Sequence, residues 1–427
     1  MVRRALNILS LCSLITLPVV AADPWDVPAR PETGPEELTE SIENEIERPT
    51  HPNDWWNHDQ LLGEMGGLRP WLSKYGMTFE LNSYDEGFAN PDGGLNAETG
   101  QRYAGLTDFL LSFDTEAVGW WKGGLFVVDL QNTRGGDISD FVGDAQGISN
   151  IVAPPGTRFA EYHLIQEFSG GKLALKIGKQ DANADFVVSE GGSEFINSSF
   201  GIIPTVPLPT FPAPALGVMG AWQATGQIRL KAGIWDGTPV LGSGAFGTAF
   251  DGSGGTVGAV GLEIAPFGVR ILSGTYRIGV WRHSEVEIAD PPTATTEPGL
   301  GPARGAYFTV DQGLWENDRS RLAIFAQGGW GETDRSAFRR YFGGGFTFNA
   351  PFRGRPDDIV GIGIARAELG DVERLHLDST AETVFEFFYK LPLTGWMTMN
   401  PDLQWIHRPN GVKGTAFVAG LRVATVF

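Results

Sequence analysis

The sequence predicts an all-β chain: a transmembrane antiparallel β-barrel of about 16 strands behind a short N-terminal helical segment. Three observations carry this. From Met77 to Phe427 apolar and polar residues alternate with period two, in runs of roughly ten, the length of a tilted strand that crosses a bilayer. The connections between those runs alternate between long and short. Aromatic residues gather at the short connections, as they do where an outer-membrane barrel meets the membrane interface.

The chain opens with Arg3 and Arg4, an apolar run from Leu6 to Val20 and the small residues Ala21 and Ala22, the pattern of a secretory signal peptide over 1–22. The run falls short of the roughly 20 residues that a membrane-spanning helix needs. Cys12, the only cysteine, lies inside it, and Leu11 stands where a lipoprotein signal requires a small residue. Cleavage therefore leaves an exported chain that no disulfide can hold. Residues 23–58 are acidic and proline-rich and predict a solvated periplasmic leader; Leu38, Ile42 and Ile46, spaced by four, would allow a short amphipathic helix within it. Apolar residues at helical spacing in LLGEMGGLRPWLSKYG, stopped by Gly76, predict a short helix over 59–76.

A formal net charge of −19 argues against a nucleic-acid or anionic-lipid binder, because phosphate contacts need clustered Lys and Arg. No later stretch can form a transmembrane helix. The most apolar one, FGIIPTVPLPTFPAPALGVMGAW, is broken by Pro204, Pro207, Pro209, Pro212 and Pro214.

Within 77–427, Phe79 and Leu81 alternate with Glu80 and Asn82, and Phe109, Leu111 and Phe113 with Asp108, Ser112 and Asp114. Phe126, Val128 and Leu130 flank Asp129; Leu173, Leu175 and Ile177 flank Lys176; Ile228, Leu230 and Ile234 flank Arg229 and Lys231. The pattern continues around Arg277, Asp311 and Glu386 to the end, where Phe417, Leu421, Val423 and Phe427 share one face and Arg422 takes the other. A soluble sheet would bury that apolar face in a core. The long connections (about 86–102, 133–156, 181–215, 236–255, 282–304 and 367–379) instead fall on one side and short turns such as 169–171, 224–226 and 392–395 on the other. Outer-membrane barrels have this asymmetry, and closure satisfies every backbone group without water. Trp120, Trp121, Phe168, Trp222, Phe267, Trp315, Phe352 and Trp396 lie at the short-turn ends. An even strand number places both ends of the barrel in the periplasm, so the apolar faces meet outer-membrane lipid and lipopolysaccharide. The terminal Phe427 resembles the signature by which such barrels are delivered to their insertion machinery.

Seven segments, in this order, resemble the carbohydrate-selective porin (OprB) family: LLGEMGGLRPWLSKYG, GDAQGISNI, FINSSFG, GTYRIGVWRH, AYFTVDQGLW, GRPDD and PDLQW. The resemblance runs from about residue 61 to the end. It implies a sixteen-stranded outer-membrane barrel that passes sugars such as glucose by facilitated diffusion, with no cofactor. There is one departure. In the strand after the long proline-rich connection, where family members carry two arginines, GVMGAW has Met219 and Ala221.

In a passive channel the chemistry is selection at the narrowest point. The 181–215 connection is too apolar to wave in water, which predicts that it folds inward as a constriction with Asp185, Glu190, Glu194 and Asn197 facing the lumen; a lid over the outer mouth is the alternative. Strand parity turns Lys176, Arg229, Lys231 and Arg277 inward, along with Asp129, Glu161, Asp311 and Glu386. Such charges can replace a sugar's hydrogen bonds to water. Trp235 and Trp281 also fall on inward parity, where they either stack on a sugar or pack against the loops.

Other patterns carry less. GSGAFG at 242–247 is followed by no helical pattern and reads as a glycine-rich loop, and the six histidines lack metal-ligand spacing. The competing functions are a general diffusion pore for small solutes and ions, and a barrel hydrolase. The second needs a nucleophile beside a base, and no Ser–His or Asp–His pair falls at one rim. A homotrimer is an assembly the architecture allows.

Overall fold

The structure, a computed structural model, describes residues 58–95, 100–239, 241, 255–265, 272–287, 300–332, 336–370 and 379–427. The expected signal peptide, all of the acidic leader but His58, and GSGAFG lie outside these residues.

A single helical turn at Met65–Gly67 leads into α1 (Leu68–Lys74). Gly76, at φ +64°, turns the chain into the first strand; a Cβ there would lie 2.8 Å from both Ala117 Cβ and Asp114 O, so both the angle and the space demand glycine. Arg69 ties this segment to the wall. Its Nε donates to Gly63 O and its Nη1 to Phe79 O, both at 3.0 Å, and its Nη2 donates to Phe427 O. The guanidinium lies 4.4 Å from the centre of the Phe79 ring.

Sixteen strands then form one closed antiparallel barrel. The first eight are β1 (Met77–Asp92), β2 (Gly100–Asp114), β3 (Gly124–Gly135), β4 (Gly156–Phe168), β5 (Leu173–Gln180), β6 (Ala215–Gln223), β7 (Ile228–Asp236) and β8 (Thr256–Ile264). The second eight are β9 (Gly274–Glu287), β10 (Leu300–Glu316), β11 (Arg321–Gly331), β12 (Phe338–Asn349), β13 (Ile359–Leu369), β14 (Ala381–Pro392), β15 (Met397–His407) and β16 (Thr415–Val426). Each strand pairs with its sequence neighbours, and β1 closes on β16 from Asn82 opposite Val426 to Ala89 opposite Ala419. Closure leaves no open sheet edge, the condition for strands in lipid.

The two faces of the wall separate as the alternation predicts. Val260, Ile278, Val280 and Ile362 point outward, each 56–58% exposed, which is intelligible only against lipid. Asp129, Lys176, Lys231, Asp311, Glu386 and Arg422 point inward and are buried.

Two expected connections come out shorter. β1 continues to Asp92 and β2 begins at Gly100, against an expected gap of 86–102; β9 and β10 likewise extend to Glu287 and from Leu300. The cause at β1 is compositional: its outward positions become Asp85, Gly87 and Ala89, so the apolar signal lapses while the pairing goes on. Asn90 Nδ2 still donates to Phe417 O across the seam at 2.9 Å.

The main apolar core sits inside the barrel. Phe186, Phe195, Ile196, Phe200 and Ile203, all from the connection between β5 and β6, pack with wall residues such as Trp235, Phe325, Tyr341 and Phe388.

Candidate functional site

The connection of residues 181–214 enters the lumen and crosses it. Asp181 closes its neck, accepting from Ala184 N (3.0 Å), Thr210 Oγ1 (2.8 Å) and Phe211 N (3.1 Å), and caps α2 (Ala182–Phe186). Burial pushes the Asp181 carboxyl up, and these donors pull it back. Asn197 caps a second turn, α3 (Ser198–Gly201), through Ser199 N at 3.1 Å.

A segment without a ladder must find other partners for its backbone groups. The barrel wall supplies them. On β5 and β7, Lys176 Nζ reaches Asp185 Oδ2 at 3.0 Å and Lys231 Nζ reaches Asp185 O at 2.9 Å. Arg277 Nη1 on β9 donates to Val188 O at 2.9 Å. Asp311 on β10 accepts from Ser189 Oγ at 2.7 Å and Gly191 N at 2.9 Å. Glu386 on β14 accepts from Ile196 N at 2.6 Å and Asn197 N at 3.0 Å, and Asn197 Nδ2 donates to Gln404 Oε1 at 3.0 Å. Gln327 Nε2 and the Tyr341 hydroxyl both donate to Ser199 O. The aromatic cluster completes the seat: Phe195 lies 4.5 Å from Phe200, 4.9 Å from Phe388 and 5.2 Å from Phe325, centre to centre.

A second connection, 136–155, also folds inward, which its sequence did not announce. Ala145 N and Gln146 N donate to Glu382 at 2.8 and 3.1 Å. Ser149 Oγ donates to Glu86 at 2.6 Å, and Arg422 bridges Glu86 and Asn150 Oδ1 at 2.5 Å each. The two connections hold each other through Asn150 N to Ile196 O (2.9 Å) and Ser198 N to Gly147 O (3.0 Å). Burial, with the Glu382 carboxylate close by, pushes Asp144 up to about 7. GDAQGISN gives no sign of this inward fold in the sequence, because its anchors are backbone groups and small side chains, which leave no periodic signal.

The cations of one wall share a carboxylate that the sequence reading missed. Glu263 on β8 lies 2.8 Å from Arg277 Nε, 3.1 Å from Lys231 Nζ and 3.4 Å from Arg229 Nη1. Parity with Val257 and Ala259 would have marked it, but Gly258 and Gly261 blunt the alternation in TVGAVGLEI. Arg277 Nη1 is also 3.8 Å from Asp311. Farther along the same wall, on β4 and β3, Glu161 accepts from Asp181 N at 2.9 Å and lies 3.5 Å from His163 Nδ1, while Asp129 is held by Gln131 Nε2 at 2.9 Å.

The predicted site residues thus divide. Asp185 and Asn197 are buried pins of the inward loop. Trp235 (0% exposed) packs edge-on against Phe186, ring centres 5.5 Å apart, and Trp281 (3%) lies where a Gly305 Cβ would meet its ring at 2.6 Å. Neither ring offers a face to a solute. Met219 and Ala221 are buried on the inner wall, Met219 opposite Lys176 and beside Trp235's bed at Gly233. Glu190 and Glu194 differ. With Asp311, Gln312, Arg321 and Asn349 they line a polar cavity of about 140 Å³ at the short-turn end of β10–β13. Glu194 lies 2.8 Å from Lys390 Nζ.

Known proteins share this architecture. The chain is 25% identical over 422 residues to Porin B of Pseudomonas aeruginosa, covering 88% of this chain and 92% of that one. It is 22% identical over 430 residues to the putative porin QuiX of Acinetobacter baylyi, covering 88% and 96%. The high-pH structure of Pseudomonas putida OprB superposes with a TM-score of 0.78 at 21% identity, over 87% of this chain and 99% of that one; the low-pH structure gives 0.58 at 18%. The model of the carbohydrate-selective porin, OprB family matches residues 98–427, and with a closed sixteen-stranded barrel around that match the chain belongs to this family of outer-membrane porins.

Proposed function

We propose that this barrel is a sugar-permeable porin whose passage is set by the inward loop. The observation that carries the reading is the loop's seat. Hydrogen bonds from most of the wall hold it across the lumen, and the space it leaves is lined by carboxylates, amides and an arginine, groups that can exchange a sugar's hydrogen bonds to water for hydrogen bonds to protein. The family and the relatives' names point to the same solute class. The buried charges serve the seat, while Glu190 and Glu194 meet the permeating solute. Residues 1–22 are the export signal, 23–58 a periplasmic leader, and Phe427, whose N–H donates to Leu81 O at 2.9 Å, is read by the insertion machinery.

The test is single-channel conductance of the purified protein in planar bilayers with glucose or maltodextrin added, alongside liposome swelling across sugars of rising size. Sugar-dependent closure is expected. Conduction of ions without sugar block would favour a general diffusion pore.

Charge at the cavity gives a second result. Neutralising Glu190 and Glu194 removes two carboxylates that face the passage and releases Lys390, so ion preference should move severalfold toward anions. The same change at Glu285 and Glu287, at the long-connection end of β9 and so at the opposite end of the wall from the cavity, should do little over a Debye length of roughly 8 Å. Reversal potentials under a salt gradient measure both. Equal shifts from the two pairs would count against a role for the loop carboxylates.

A further inference from the structure

Against an acidic chain, one arc of the outer surface is basic. On β9, β12 and β13 the outward apolar residues Val280, Phe342 and Ile364 are each followed, two residues nearer the long-connection end, by Arg282, Arg340 and Arg366. Arg304 on β10 stands directly opposite Arg282. All four are exposed. Like charges placed opposite each other repel, so this pairing costs stability unless an anion lies between them. Neighbouring carboxylates offset only part of the charge, since Glu368, opposite Arg340, is taken by Arg339 at 3.0 Å. Arg304, whose side chain is 75% exposed, reaches Glu332 at 3.3 Å; Arg366 donates to the neutral Thr383 Oγ1 at 3.1 Å; Arg282 and Arg340 have no ion-pair partner among the described residues. On β1–β3 the corresponding arginine is neutralised: Arg134 lies 2.6 Å from Asp85.

The height of these arginines identifies the counter-charge. They sit just beyond the lipid-facing band on the long-connection side, the outer leaflet, where phosphates of the bilayer lie. Arginine forks are suited to phosphate oxygens. At a strand spacing of about 4.8 Å, the β9/β10 pair and the β12/β13 pair stand roughly 14 Å apart. That spacing suits a disaccharide with a phosphate at each end, its acyl chains running down over Val280, Phe346 and Ile362.

We propose that the outward face of β9–β13 binds lipid A, with one phosphate between Arg282 and Arg304 and the other at Arg340 and Arg366. The overall net charge of −19 hides this site, because many of the carboxylates behind it, Asp129, Asp311 and Glu386 among them, are buried inside the barrel.

Delipidated full-length protein, with diphosphorylated lipid A, its dephosphorylated form and phosphatidylglycerol as probes, tests this by native mass spectrometry and thermal unfolding. Diphosphorylated lipid A should bind at least tenfold more tightly than either other lipid and raise the unfolding temperature. The R282Q/R304Q/R340Q/R366Q variant should lose that preference while its conductance stays unchanged; R134Q should keep it. Undiminished binding by the fourfold variant, or equal binding of the dephosphorylated lipid, would overturn the site. Equal binding of phosphatidylglycerol would overturn the assignment to lipid A. If the fourfold variant does not fold, R282Q/R304Q should still weaken binding at least threefold, and no loss there would overturn the proposal.

Discussion

Replacing Glu386 and Asp311 together by alanine should widen the channel severalfold in conductance and weaken sugar block. Each carboxylate accepts two hydrogen bonds from the inward loop, Glu386 from Ile196 N and Asn197 N, Asp311 from Ser189 Oγ and Gly191 N. A hydrogen bond to a charged group contributes about 1.5–3 kcal/mol, and the backbone N–H groups left behind would be buried without partners. The loop's lowest-energy response is to leave the wall and seek water. Aromatic packing of Phe195 on Phe325 and Phe388 opposes this, which is why one substitution alone should act less than the pair. Glutamine and asparagine at the same positions keep an acceptor and should lie between wild type and the alanine pair. Single-channel recording reads the outcome; unchanged conductance in the alanine pair would show that this loop does not set the narrowest point.

The largest effect on stability is expected at Arg422. Its side chain is 2% exposed and its partner Glu86 0%, at 2.5 Å, with Asn150 on the same guanidinium. Breaking a buried ion pair by removing one member leaves a buried charge and costs about 3–5 kcal/mol. Arg422→Leu should therefore unfold at markedly lower denaturant concentration, and Glu86→Gln in that background should recover much of the loss. A double-mutant cycle measures the coupling. Additive effects would mean that water reaches the pair and that the seam is not dry.

The barrel was legible in the sequence because lipid imposes one rule on every strand, apolar outward, and the rule survives in runs such as FFYK and IVGIGIA. Strand parity placed Lys176, Lys231, Arg277 and Glu386 on the inner wall for the same reason. Strand ends were less legible. Beyond the apolar band nothing requires an outward side chain to be greasy, so the pairing of Glu86 to Ala89 looked like loop. Inside the lumen the rule fails altogether. There partners are chosen by position in space: Asp185 answers Lys176, Glu263 answers three cations, and Trp235 fills the space over Phe186. The apolar composition of the 181–215 connection did predict an inward fold. The polar 136–155 connection reaches the same interior through Ala145 N, Gln146 N and Asn150, groups that any surface loop also carries.

The loop that spans the lumen is fastened to β5, β9, β10, β14 and β15, strands spread around most of the circumference. A hollow cylinder squeezed from the side flattens to an ellipse, and its bore changes with every change in lateral pressure. A cylinder braced across its diameter does not. The bracing makes the width of the passage a property of the protein, held constant as the surrounding lipid thickens, thins or changes phase.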